Sequence, residues 1–130
     1  MTARDVAEQL YAAFEKSDGQ ALAGLLDPSF TAHVSAGMPL NVGGSVADPR
    51  TMLSKVWGAV FVAYDVAPVP AEFVEVARDR VIVFGDYRGT CRSTSKSFEA
   101  AFAHDLTFHD GKITSLVQIT DTKRWHDACR

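Results

Sequence analysis

His104 and Asp121 are the residues of this chain whose types and settings suit acid–base chemistry. Read with a period of two, His104 shares a strand-like face with Phe98, Ala100, Phe102, Leu106 and Phe108. An imidazole on so apolar a face is either a hydrogen-bonded core residue or a proton-transfer group in a pocket wall. Asp121 closes the following strand-like run, where it is either the cap of a helix or a carboxylate turned into the same concavity. A carboxylate desolvated among Phe102, Leu106 and Trp57 titrates above its usual range, and a nearby imidazole can share its proton. Such a pair enolises a carbonyl compound without a cofactor.

Both residues belong to one predicted hairpin, Ser97 to Thr122, turning at Asp110-Gly111. A second predicted hairpin precedes it, with Glu72 to Arg78 and Val81 to Cys91 joined at Asp79-Arg80. Its later strand puts Val81, Val83, Gly85 and Tyr87 on one face. Three helices are expected upstream. Thr2 caps the first, with Asp5 three residues on, and Val6, Leu10, Ala13 and Phe14 form its apolar stripe with Tyr11 beside them. The second covers about Gln20 to Leu26 and ends before Pro28. Asp48 caps the third, with Pro49 in its first position and Met52, Val56, Trp57, Val60 and Phe61 at helical spacing.

Between the second and third helices, Ser29 to Val34 reads as a short strand with Phe30, Ala32 and Val34 on one side and His33 on the other. The glycine-bearing run Ala36 to Pro49 reads equally as an apolar loop over a pocket mouth or as a plain surface connection. Thr122 to Arg130 is a short helix or a frayed tail. Helices followed by long antiparallel strands predict an α+β fold, with one curved sheet wrapped against segregated helices.

A length of 130 residues is one domain, residues 1–130. A net charge of −3 argues against nucleic-acid binding that depends on neutralising phosphates. There is no leader-like apolar core near the N-terminus and no long apolar run, so a soluble, cytoplasmic protein without membrane contact is expected. Cys91 and Cys129 are too few and too far apart for a disulfide framework or a zinc site, and read as ordinary thiols. The His-Asp pairs at 104, 109 and 126 do not make a metal site, because His104 and His109 fall on opposite faces of their strand. No metal and no cofactor are expected.

The order of these elements, with the SFTAHV strand, the GDYRGT strand, the FEAAFAHDLTFHDGKI hairpin and the closing QITDT, resembles the SnoaL-like family of the nuclear transport factor 2 superfamily. The resemblance implies a cone-shaped α+β roll with a deep apolar pocket between sheet and helices, usually dimeric through the sheet. Members include polyketide cyclases that close rings by aldol chemistry, ketosteroid isomerases, epoxide hydrolases and ligand binders. The cyclase pattern implies an acid–base pair at Asp121 and His104, although Ile119 stands where an aromatic is often found and Asp105 follows the histidine. The arrangements of the epoxide hydrolases and ketosteroid isomerases find no match.

Tyr11, His33, Trp57, Tyr87 and Phe102 complete the candidate site as substrate-binding residues. The expected partners are a small hydrophobic molecule and a second copy of the chain, the latter covering the outer sheet face near Ala101, Ala103 and Val117. Two functional classes stand: a cofactor-independent cyclase, isomerase or hydrolase, and a non-catalytic protein, either a pocket that binds a hydrophobic metabolite or a dimeric domain with no ligand. A carboxylate and an imidazole converging in the pocket favour the first; an apolar lining favours the second.

Overall fold

Thr2 and Asp5 close a capping box at the start of α1 (Ala3–Glu15) in the computed structural model, which describes all 130 residues. The helix buries Val6, Ala7, Leu10, Tyr11, Ala13 and Phe14 on one face. Asp18 accepts from the Ala21 amide to cap the short α2 (Gly19–Leu25). Asp48 does the same for α3 (Pro49–Thr51), accepting from the Thr51 amide at 2.8 Å. From there the chain stays helical through a wider π-wound segment, Met52–Trp57, into α4 (Gly58–Ala63).

Six strands form one sheet: β1 (Leu26–Val34), β2 (Gly44–Val46), β3 (Tyr64–Ala77), β4 (Arg80–Cys91), β5 (Ser97–His109) and β6 (Lys112–Thr120). Their order is β2-β1-β6-β5-β4-β3, antiparallel throughout except that β1 runs parallel to β6. The sheet curves without closing, with β2 and β3 as its edges, and the fold is α+β. Asp110 and Gly111 both take positive φ in the two-residue turn between β5 and β6, the geometry that joins antiparallel strands without splaying them.

The period-two reading of β4 and β5 holds. Val81, Val83 and Tyr87, with Phe98, Ala100, Phe102, Leu106 and Phe108, are buried on the inner face. At Gly85 an added Cβ would meet the Val69 carbonyl at 2.2 Å and the Phe102 ring at 2.9 Å, so only glycine lets β3 and Phe102 crowd that point. On the outer face Phe84, Ala103 and Ile119 line up across the ladder, with Phe84 44% and Ile119 63% exposed.

Three expectations need correction. The outer strand β3 starts at Tyr64, well before Glu72, and takes in Pro68 and Pro70; it is an edge strand, where a residue without an N–H is tolerated. The glycine loop contains a short strand, β2, paired with β1. Cys91 and Cys129 are not free thiols: they form a disulfide, with Cα atoms 5.5 Å apart. Their sequence separation of 38 is bridged because α5 (Thr122–Ala128) folds back over the end of β4, next to which Cys129 lies. No helix is long and apolar enough to cross a membrane.

Candidate functional site

His104 sits mid-way along β5, between Val83 of β4 and Gln118 of β6, and is 3% exposed. Both ring nitrogens are occupied. The Tyr11 hydroxyl from α1 lies 2.7 Å from Nδ1, and the Tyr87 hydroxyl from β4 lies 2.7 Å from Nε2. Phe102, two residues back on β5, stacks on the imidazole with centroids 4.1 Å apart. Gln118 donates from Nε2 to the Tyr87 hydroxyl at 2.9 Å, while its Oε1 accepts from the Ser35 backbone at 3.2 Å.

Burial governs the charge of this cluster. Removal from water lowers the His104 pKa to about 3, so the ring is neutral at physiological pH. The same desolvation raises both tyrosines above the ordinary phenol range, partly offset at Tyr87 by the hydrogen bond from Gln118. Every member is paired, as buried polar groups must be.

A cavity of about 40 Å³ lies beside the cluster. Leu10 and Phe14 of α1, Met52, Val56 and Trp57 of the π-wound segment, and Val60 and Phe61 of α4 line the helical side. Val34, Val66, Pro68 and Leu116 line the sheet side, Met38 reaches in from the glycine loop, and Trp125 from α5. The polar groups on this wall are Tyr87, His104 and Gln118, joined to one another by hydrogen bonds. The indole N–H of Trp125 is turned to the Thr120 hydroxyl at 3.2 Å. An apolar chamber with one contiguous neutral polar patch suits an uncharged organic molecule carrying a polar group at one end.

The structure brings together some of the sequence candidates and separates others. His104, Tyr87 and Trp57 reach the cavity, Trp57 packed edge-on against Phe14 at 4.9 Å. Tyr11 and Phe102 do not line it; they hold the imidazole from behind and from its face. His33 is exposed on β1, level with Val117 on the outer face, so it lies outside the site. Asp121 also lies outside. Its side chain is 50% exposed, 3.9 Å from Arg124, and makes no capping bond to α5. The cause is strand parity: Gln118 faces inward opposite His104, so Val117, Ile119 and Asp121, at odd offsets, turn away.

Gln118, Ser35, Met38 and Trp125 are the site residues that sequence reading missed. The signal for Gln118 is indirect: counting back from the Asp110-Gly111 turn places Val117 across from His104, and only the register shift between Thr107 and Phe108 brings Gln118 there. It was masked because Val-Gln-Ile, residues 117–119, reads as polar-out when the reverse is true. For Trp125, on a predicted helix or tail, the sequence holds no such signal.

With this geometry in place, the profile of the SnoaL-like domain matches residues 7–116. The chain belongs to the SnoaL-like domain family. No curated protein matches it. Among solved structures, this SnoaL-like chain is similar to a nuclear transport factor 2-like protein from Burkholderia thailandensis, with 28% identity and a TM-score of 0.89 over 100% of this chain and 98% of that one. It is similar to TerC, co-crystallised with polyporic acid, at 25% identity and a TM-score of 0.87 over 98% and 97% of the two chains. IdmH from Streptomyces antibioticus, a provisionally assigned polyketide cyclase, shares the fold at 23% identity and a TM-score of 0.83, each chain being covered to 98%.

Proposed function

We propose that this SnoaL-like protein is an enzyme that admits a small apolar, carbonyl-containing molecule to the cavity and works on it by proton transfer, as a cyclase or isomerase without a cofactor. The observation that carries this reading is the neutral His104 imidazole, buried with a phenol 2.7 Å from each ring nitrogen at the wall of an apolar chamber. In enolisation the proton of the C–H bond next to the carbonyl leaves to a water admitted with the substrate while negative charge builds on the substrate oxygen, and preorganised donors stabilise that charge more than bulk water does. Tyr87 and His104 are the groups on the wall able to donate and to pass a proton. Asp121, turned to solvent, has no part in this scheme. The co-crystallisation of TerC with a small organic molecule and the provisional cyclase assignment of IdmH lend support by likeness of fold.

The chamber at about 40 Å³ holds a few water-sized occupants, so substrate entry requires side chains such as Met38 and Trp57 to give way. A second reading, a pocket that binds a hydrophobic metabolite without chemistry, is favoured by one specific observation: no carboxylate lines the cavity. In either case we propose a homodimer through the outer sheet face, where Phe84, Ala103 and Ile119 form an apolar row.

Hydrogen–deuterium exchange next to the carbonyl of aryl ketones and 1,3-diketones, followed by proton NMR in heavy water, tests the enzymatic reading. Protein-dependent exchange that disappears in His104→Asn is expected. Saturable binding with no exchange above buffer would hand the cavity to the second reading.

A further inference from the structure

We infer that the hydrogen-bond chain running from Ser35 through Gln118, Tyr87 and His104 to Tyr11 leaves the Tyr87 hydroxyl hydrogen as a dedicated donor into the cavity, so that the site selects ligands presenting an accepting oxygen. The ligand-selection part rests on the cavity being a binding site, as proposed above; the direction of the chain does not.

The direction follows from one end. The Ser35 backbone N–H can only donate, so the Gln118 atom facing it at 3.2 Å is the amide oxygen, and the amide nitrogen is the donor to Tyr87 at 2.9 Å. Ser35 is itself pinned, its hydroxyl donating to the Gln118 carbonyl at 3.0 Å and accepting from the Thr120 amide at 3.1 Å. Flipping Gln118 would set two N–H groups against each other.

A neutral imidazole carries one N–H, and its position decides which phenol is left with a spare hydrogen. With the proton on Nδ1, Tyr87 donates to Nε2 and the Tyr11 hydrogen is stranded. Tyr11 is 4% exposed, its hydroxyl has no partner besides His104, and it does not line the cavity. With the proton on Nε2, Tyr11 donates to Nδ1 and the Tyr87 oxygen accepts from both His104 and Gln118. The spare hydrogen then belongs to Tyr87, which does line the cavity, where water or a ligand can take it. The second arrangement strands no buried donor and is the one adopted.

Two accepted hydrogen bonds also polarise the Tyr87 O–H and strengthen it as a donor. The matching ligand class is therefore a neutral apolar molecule with a ketone, quinone or enolate oxygen. Hydrocarbons and donor-only heterocycles leave the Tyr87 hydrogen unmet. Ser35, outside the cavity lining, acts as a positioning residue, and Gln118, on the wall, carries its direction to Tyr87.

The direction is tested on the wild-type protein with histidine labelled with nitrogen-15. Two-dimensional NMR is expected to show His104, identified by its absence from His104→Asn, as the Nε2–H tautomer; an Nδ1–H tautomer would overturn the inference. Selection is tested with acetophenone and its hydrocarbon isostere α-methylstyrene, their affinities measured by calorimetry. Tyr87→Phe is expected to weaken acetophenone binding roughly 3- to 10-fold and to leave α-methylstyrene unchanged. Gln118→Glu, whose carboxylate would draw the Tyr87 hydrogen away from the cavity, should erase the same preference while both probes still bind. Equal losses for both probes, or none, would sink the selection. Failure of both probes to bind the wild type would instead refute the cavity reading, and the tautomer result would judge the chain's direction alone.

Discussion

Gln118 lies directly opposite His104 on the β5–β6 ladder, yet its amide reaches past the imidazole to the Tyr87 hydroxyl, 2.9 Å away. The inward faces of β4, β5 and β6 are thereby tied at one ring, and Tyr11 adds α1. A network of this kind is costly to charge.

Stability should therefore depend on pH through His104. Its pKa is about 3 in the folded chain against 6.5 for an ordinary histidine. Below pH 6.5 the unfolded chain binds a proton that the folded chain refuses, so the stabilisation is complete above that pH and drains away as pH falls toward about 3. This one group contributes a slope of about 1.4 kcal/mol per pH unit in that window. Urea midpoints measured from neutral pH to about pH 4.5 should fall more steeply in the wild type than in His104→Asn. Parallel curves would refute the buried neutral imidazole.

Asp121→Asn should be silent. The carboxylate is half exposed and makes no capping bond, and surface changes of this sort stay within about 0.5 kcal/mol. Thermal melting and the ketone exchange assay are both expected to match wild type; a hundredfold loss of exchange with normal melting would restore Asp121 as the base.

The disulfide closes a loop with a sequence separation of 38, for which loop-entropy arguments give about 4 kcal/mol. It also clamps α5, whose Trp125 seals one side of the cavity and packs on Tyr64, Tyr87 and Phe98. Cys129→Ser should lower the urea midpoint, and a dithiol reductant should bring the wild type to the same value. No response to reductant would mean that the thiols are free in solution.

The outer sheet face should carry the dimer. Light scattering at micromolar concentration is expected to give twice the chain mass, and Ile119→Lys, at a position 63% exposed and turned away from the cavity, to give the monomer with the His104 tautomer unchanged. A monomeric wild type would dispose of the proposal.

By itself, the sequence determined the class of fold, the capping of α1 and α3, the β5–β6 turn at Asp110-Gly111 and the burial of His104 among phenylalanines. Each of these rests on local chemistry: a cap needs an oxygen beside an amide, a tight turn needs positive φ, and alternation needs only the pleat. What only the tertiary structure decided was which polar groups converge. Tyr11 and His104 are 93 positions apart, Ser35 and Gln118 are 83 apart, and nothing local links them. Val117 and Ile119 look like core neighbours of Asp121, whereas they belong to an apolar outer face that makes apolar character a false guide to the inside of β6. Cys91 and Cys129 pair for the related reason that distance along the chain says little once a terminal helix folds back on the sheet. Residue types set what chemistry is available, but parity, register and the return of α5 decide which groups share a cavity.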